Sequence, residues 1–210
     1  MENKYQDFYE LPKAWQGFLQ ACQSCKECEL FQTRNQVVVF RGNLEANLML
    51  IGEGPGAEED RLGKPFVGRS GKLLDSLLTA QEFTENDYHI CNIVKCRPPG
   101  NRAPTPDEAN ACKKLLAAQF SLVKPKIIVL IGATAYKYFT NTNSPISQVR
   151  GQWIKKGDYH IMPTFHPAYL LRNPKKRIDM WQDFVMVREK MEDLDLIREK
   201  SKPFQMDEWA

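Results

Sequence analysis

Residues 52–71 constrain this chain more than any other stretch. They carry Gly52, Gly54, Pro55, Gly56, Gly63, Pro65, Gly68 and Gly71 between two strongly patterned segments. Before them, Leu48-Met49-Leu50-Ile51 is an apolar run that reads as a buried parallel strand; after them, Leu73, Leu74, Leu77 and Leu78 recur at helical spacing. The stretch is therefore a long, glycine-rich connection at the carboxyl end of a strand, where open α/β sheets bind their ligands. Glycines let a backbone approach a flat ligand closely, and Pro55 stiffens the turn.

The rest of the chain alternates in the same manner. A helix from residue 11 or 12 carries Trp15, Phe18, Leu19 and Cys22 on one face, and residues 37–40 read as a short strand. Further strands are expected at 47–52, 89–95 and 126–132, with a helix at 72–78 and a short one at 133–139. Another helix begins after Thr105, with Pro106 at its first position and Asp107 and Glu108 in its first turn; Ala111, Leu115, Ala118 and Leu122 form its expected buried stripe, with Cys112 one residue off it. Residues 141–147 read as polar loop. Two edge strands, 149–156 and 160–165, meet at Gly157-Asp158, and a last amphipathic helix bears Ile178, Trp181, Phe184, Val185 and Met191. Alternating strands and helices predict a three-layer α/β/α sandwich with a mostly parallel central sheet. One domain is expected over 1–210, with a lead-in at 1–11 and a tail from about 197 at its periphery.

Composition sets limits. A chain of 210 residues that is 42% hydrophobic can bury one sizeable core, and its net charge of +3 is only mildly basic. No apolar run is long enough to span a bilayer, and the amino terminus lacks the pattern of a signal peptide, so a cytoplasmic protein away from membranes is expected. Lys64, Arg69, Lys72, Lys95, Arg97 and Arg102 flank the loops of interest and are candidates for phosphate contact.

Six cysteines in such a chain point to metal rather than to disulfides. Cys22, Cys25 and Cys28 have Cys-x-x-Cys-x-x-Cys spacing, while Cys91, Cys96 and Cys112 lie far downstream. Four thiolates, Cys25, Cys28, Cys96 and Cys112, suit either zinc or a [4Fe–4S] cluster. Cys22, on an apolar helix face, and Cys91, inside a strand, read as core. Asn92 interrupts an apolar strand, which is costly unless its amide is satisfied, and a carboxamide can read the edge of a nucleobase. His166, between Phe165 and Pro167, shares a strand-end loop position with Glu53, Phe66 and Asn92, whereas His89 and His160 have no such setting.

Three motifs carry a resemblance. Gly52-Glu53-Gly54-Pro55-Gly56, continued by Glu58-Glu59-Asp60 and Gly63-Lys64-Pro65-Phe66-Val67-Gly68, resembles the first motif of the family 4 uracil-DNA glycosylases. Asn92-Ile93-Val94-Lys95-Cys96-Arg97-Pro98-Pro99-Gly100-Asn101-Arg102 resembles that family's second signature, and Phe165-His166-Pro167-Ala168-Tyr169-Leu170-Leu171 its closing one. Ala57 stands where relatives commonly have an acidic residue.

The resemblance implies removal of uracil from single- or double-stranded DNA by a monomeric α/β/α enzyme holding a [4Fe–4S] cluster. It implies Cys25, Cys28, Cys96 and Cys112 as ligands, with Cys22 an overlapping alternative to Cys25. Phe66 would stack on a flipped uracil and Asn92 would bond O4 and N3–H. Gly54, Pro55 and Gly56 would line the ring's edge, and Glu59 would stand beside C5. His166 would donate to O2, and either Glu53 or Asn101 would hold the water. Replication or repair proteins are possible partners. Three other readings stay open: a relative that traps uracil-DNA without turnover, a non-enzymatic iron–sulfur docking module, and a zinc-dependent nucleotide-binding protein.

Overall fold

Three apolar runs form the middle of the molecule, and all of their residues are buried, as strands covered on both faces require: β2 (Leu48–Gly52), β3 (Tyr88–Asn92) and β4 (Ile127–Ile131). With β1 (Arg41–Gly42), β5 (Ile154–Lys156) and β6 (Tyr159–Thr164) they make one six-stranded sheet in the order β1-β3-β2-β4-β6-β5. The four inner strands run parallel, and β1 and β5 close the edges antiparallel. A computed structural model describes residues 10–197. Most of the expected lead-in and all but the first residue of the expected tail lie outside the described residues.

The helices are α1 (Lys13–Ser24), α2 (Ala57–Leu62), α3 (Arg69–Ala80), α4 (Pro106–Val123), α5 (Ala133–Thr140), α6 (Ile146–Val149), α7 (Pro167–Arg172) and α8 (Arg177–Asp193). Strand alternation divides the core between them. Leu48, Leu50, Ile90, Val129 and Met162 face α3 and α8, whereas Met49, Ile51, Cys91, Ile128 and Leu130 face α4 and α5. The expected three layers are present. A third apolar cluster packs Trp15, Phe18, Leu19 and Cys22 of α1 against Val37, Val39, Phe40 and Val123. Among the described residues no helix is long and apolar enough to cross a membrane.

Several local expectations are corrected. The connection after β2 is not all loop, because the acidic run after Gly56 winds into α2. Of the two strands expected at an edge, only β5 is one; β6 pairs with both β4 and β5. Residues 146–149 form α6 rather than loop or strand. The buried face of α4 is Glu108, Ala109, Cys112, Leu116, Gln119 and Val123, rotated from the apolar stripe read in the sequence. Polar side chains on that face have partners: Glu108 closes a capping box, taking the Thr105 N–H at 2.8 Å and an Arg102 pair at 2.6 and 2.8 Å.

Residues 37–40 are buried but form no ladder. β1 pairs Arg41 with Ile90 and Gly42 with His89, so continuing that register would set Val39 opposite Asn92. Two side chains intervene there. Gln119 Nε2 donates to the Val39 carbonyl at 3.2 Å, and Lys95 Nζ donates to the Asn92 carbonyl at 2.9 Å. The ladder is interrupted there, the Val39 and Asn92 carbonyls being taken by side chains, while Val38 N still donates to the Lys95 carbonyl at 2.8 Å.

Candidate active site

The carboxyl ends of β2, β3 and β6 open into a cavity of about 450 Å³. Glu53, Gly54, Pro55, Gly56, Glu59, Phe66, Asn92, Asn101 and His166 all line it, so each residue named from the sequence for catalysis or base contact reaches one space. The sheet register explains the meeting. Gly52 and Asn92 are direct neighbours across β2 and β3, while Gly132 N donates to the Thr164 carbonyl at 2.9 Å just before His166. Thr164 is anchored in turn by its hydroxyl, which donates to Asp183 on α8 at 2.5 Å, and Asp183 pairs with Arg150.

Gly52 is what allows Phe66 and Asn92 to converge. A Cβ there would lie 2.5 Å from Asn92 Oδ1 and 2.5 Å from the Phe66 ring. Gly52→Ala is therefore expected to displace both side chains and lower the rate of any chemistry done in this cavity by about 100-fold, the cost typical of a misplaced reacting group; an unchanged single-turnover rate would contradict this packing. Phe66 itself adopts a left-handed backbone at φ 53, unusual for a bulky residue, and its ring lies 5.8 Å from the His166 ring at 29°.

Each polar residue in the cavity has a distinct state. Glu59 is nearly buried, and its carboxylate accepts three backbone N–H bonds, from Gly56 at 3.1 Å, Val67 at 3.0 Å and Gly68 at 2.8 Å. It thereby cross-ties the glycine-rich segment. Asn92 is 2% exposed, and its Oδ1 is fully buried with no hydrogen-bond partner. An orphaned buried carbonyl of this kind costs about 1–3 kcal/mol. Asn101 Oδ1 is already occupied by Arg97 Nε at 2.7 Å. The Glu53 carboxylate has no hydrogen-bond or ion-pair partner among the described residues and faces the cavity.

His166 caps α7, with Nδ1 accepting the Ala168 N–H at 3.1 Å. That bond leaves the proton of the neutral ring on Nε2. Burial, helped by Arg172 and opposed by Glu59, lowers its pKa to about 4. The imidazole is thus a neutral donor throughout the physiological range. Sequence reasoning missed Ser70 and Arg172 as cavity residues. Arg172 was foreshadowed by Pro167, which starts a helix right after His166 and keeps the next turns beside the cavity.

The basic residues divide. Lys64, Arg69 and Lys72 are exposed and available to phosphates. Lys95 is 1% exposed and is removed from that set, and Arg102 is spent in its bidentate pair with Glu108.

A second, smaller cavity is lined by Cys22, Cys25, Cys28, Cys96 and Cys112 together with Arg34 and Lys95. Arg34 Nη1 donates to Cys96 Sγ at 3.1 Å, and Arg34 Nη2 to the Gln23 carbonyl at 3.0 Å. Burial raises the thiol of Cys112 to about 11 and that of Cys22 to about 12. Cys91 is fully buried in β3 and does not line this cavity.

Comparison with known proteins places the chain in a family. Residues 39–186 match the model of the Uracil DNA glycosylase superfamily. The chain is 48% identical over 153 residues to a type-4 uracil-DNA glycosylase of Thermotoga maritima, covering 71% of this chain and 79% of that protein. It is 42% identical over 175 residues to a type-4 uracil-DNA glycosylase of Sulfurisphaera tokodaii, covering 79% and 80%. A Saccharolobus solfataricus protein of the same name is 38% identical over 192 residues, covering 87% and 85%.

Proposed function

The chain belongs to the type-4 uracil-DNA glycosylases of the Uracil DNA glycosylase superfamily, and on that footing we propose that its larger cavity receives a uracil nucleotide extruded from DNA and hydrolyses the bond between base and sugar. The observation that carries the reading is Asn92, which lines the cavity and has a buried side-chain oxygen that no described protein group satisfies. Uracil presents an N3–H to such an acceptor, whereas cytosine has a bare N3 and would leave it orphaned. Phe66 supplies the stacking surface for the ring. Glu59, fixed by its three N–H bonds, forms a rigid wall beside C5 where a thymine methyl would collide.

Cleavage sends the bonding pair of the C1′–N1 bond to uracil, leaving an anion and an oxocarbenium-like sugar. His166 Nε2–H donates to O2 as that charge develops, stabilising the transition state without transferring a proton. Glu53 holds the water that adds to C1′ and takes its proton. Asn101 is the weaker candidate because its acceptor oxygen is engaged by Arg97. All the residues proposed for the site come from one chain, which supports action as a monomer. Exposed Lys64, Arg69 and Lys72 are proposed to meet phosphates of single- or double-stranded DNA. Incubation of the protein with a uracil-containing oligonucleotide, followed by alkaline cleavage, tests the proposal.

A neutral His166 predicts a flat pH dependence. Its folded pKa of about 4 lies below the ordinary 6.5, so the donor stays neutral as pH falls from 8 to 5 and its contribution to the rate should not change. Stability behaves otherwise. In the unfolded chain His166 and His89 bind protons near pH 6.5, but in the folded protein only near about 4 and about 3. Stability is therefore full above about pH 6.5 and declines as pH drops toward 4. Denaturant titrations at pH 7 and pH 5, beside single-turnover rates at the same values, check both statements.

The smaller cavity fits a [4Fe–4S] cluster. Cys22, Cys25, Cys28, Cys96 and Cys112 line that one space, a thiol-rich donor set of the kind iron–sulfur clusters bind. Cys25, Cys28, Cys96 and Cys112 would hold the cluster, and Arg34 donates to the sulfur of Cys96. When bound, the cluster would supply structural cross-linking of two distant chain segments, with no redox role required. Removing iron is expected to bleach the protein and broaden its thermal transition; a colourless, fully cooperative protein as purified would contradict this.

A further inference from the structure

Lys95 is among the largest fully buried side chains of the described residues. Its ammonium donates to the Asn92 carbonyl at 2.9 Å and to Gln119 Oε1 at 2.5 Å and also meets the Cys91 side chain, and no described carboxylate pairs with it. Gln119 is itself fixed. Its amide donates to the Val39 carbonyl at 3.2 Å and lies 2.8 Å from His89 Nε2, while His89 Nδ1 meets the Asn43 carbonyl at 2.9 Å. This chain of bonds therefore runs from the turn before β2, across β3 and α4, to the carbonyl of the residue proposed to read the base.

A buried cation whose oxygen acceptors, a peptide carbonyl and an amide, are both neutral is expensive, and an apolar residue with an ordinary strand ladder would avoid that cost. What the wedge gains is control of one peptide. It occupies the position where Val39 would have paired with Asn92, so the end of β3 is set by a charged, short side-chain bond instead of by a sheet edge. On the far side Ile93 N donates to Gly52 O at 2.9 Å and Val94 N to Glu53 O at 3.3 Å. The Asn92 peptide is held from both directions. Lys95 also lines the cysteine cavity, next in sequence to Cys96, so one side chain contacts both that cavity and the Asn92 main chain.

We propose that Lys95, steadied by Gln119, is a positioning residue that aims the Asn92 carboxamide at the base and so sets the preference for uracil. The inference rests on the base-reading role given to Asn92 above. It explains why a lysine in the midst of the second motif is withdrawn from the DNA-facing surface.

A double-mutant cycle tests it. Lys95→Met should lower single-turnover uracil excision by about 100-fold, as a misaimed contact group does, and narrow the uracil-to-cytosine ratio. In an Asn92→Ala background the same substitution should add less than about threefold, because its effect acts through the side chain already removed. Visible absorbance per chain and the melting transition are recorded for every variant. Should Lys95→Met not fold, Gln119→Met carries the test, with about a tenfold loss expected and the same failure to add. Losses that multiply in a folded double variant would overturn the inference while leaving the Asn92 reading intact. Full activity of Asn92→Ala alone would sink that reading and this inference with it.

Discussion

Replacing His166 with alanine is expected to slow uracil release under single-turnover conditions by about 10²–10³-fold while leaving affinity for uracil-containing DNA nearly unchanged. The expectation follows from when the His166 bond matters. In the proposed mechanism O2 of an intact uracil is a neutral carbonyl, which the ring would bind weakly, whereas the departing anion carries the charge that the Nε2–H would meet. A group that stabilises only the transition state lowers the rate and not the binding. The Ala168 N–H holds the tautomer, and burial beside Phe66 and Gly132 keeps the ring neutral. His166→Gln, which can still donate, should recover part of the loss. Equal rates for His166→Ala and the native enzyme would remove the residue from the mechanism.

Substituting Asn92 with aspartate is expected to have the other large effect, on selectivity. The native site should favour uracil over cytosine by about 10⁴, the scale reached when a rejected analogue leaves a buried polar group unpaired. In Asn92→Asp a protonated carboxyl can donate to cytosine N3 and accept from its amino group, reversing the pattern that uracil needs. Cytosine excision should rise relative to uracil, and total activity should fall because the acid must be desolvated at 2% exposure. Competition between the two bases in otherwise identical oligonucleotides measures the ratio directly. An unchanged preference would show that another group reads the base.

Much of this was readable in the sequence, for physical reasons. Runs such as 48–51 and 127–131 announce buried strands because each residue meets a covered face. Strand-end residues such as Glu53, Asn92 and His166 are then brought together by parallel pairing alone. Other features depend on partners distant in the chain, which periodicity does not report. Residues 37–40 have the composition of a strand, but Lys95 and Gln119 occupy the groups that would have paired. α4 turns Cys112 and Gln119 inward because a thiol cavity and a buried lysine lie there, so its apolar stripe misstates its orientation. Arg102 looks like a phosphate ligand until Glu108, six residues on, is seen to hold it. The cysteine set was legible as spacing, but not the space it encloses.

The most direct test joins chemistry to the pocket. A duplex with one uracil, and its single-stranded counterpart, are incubated with the purified protein and then treated with alkali, while free base is separated by chromatography. Release of free uracil with strand scission confined to that position is the outcome expected of a cavity that accepts an extruded pyrimidine and cuts its bond to the sugar. Intact strands and no free uracil, from a folded protein, would contradict it.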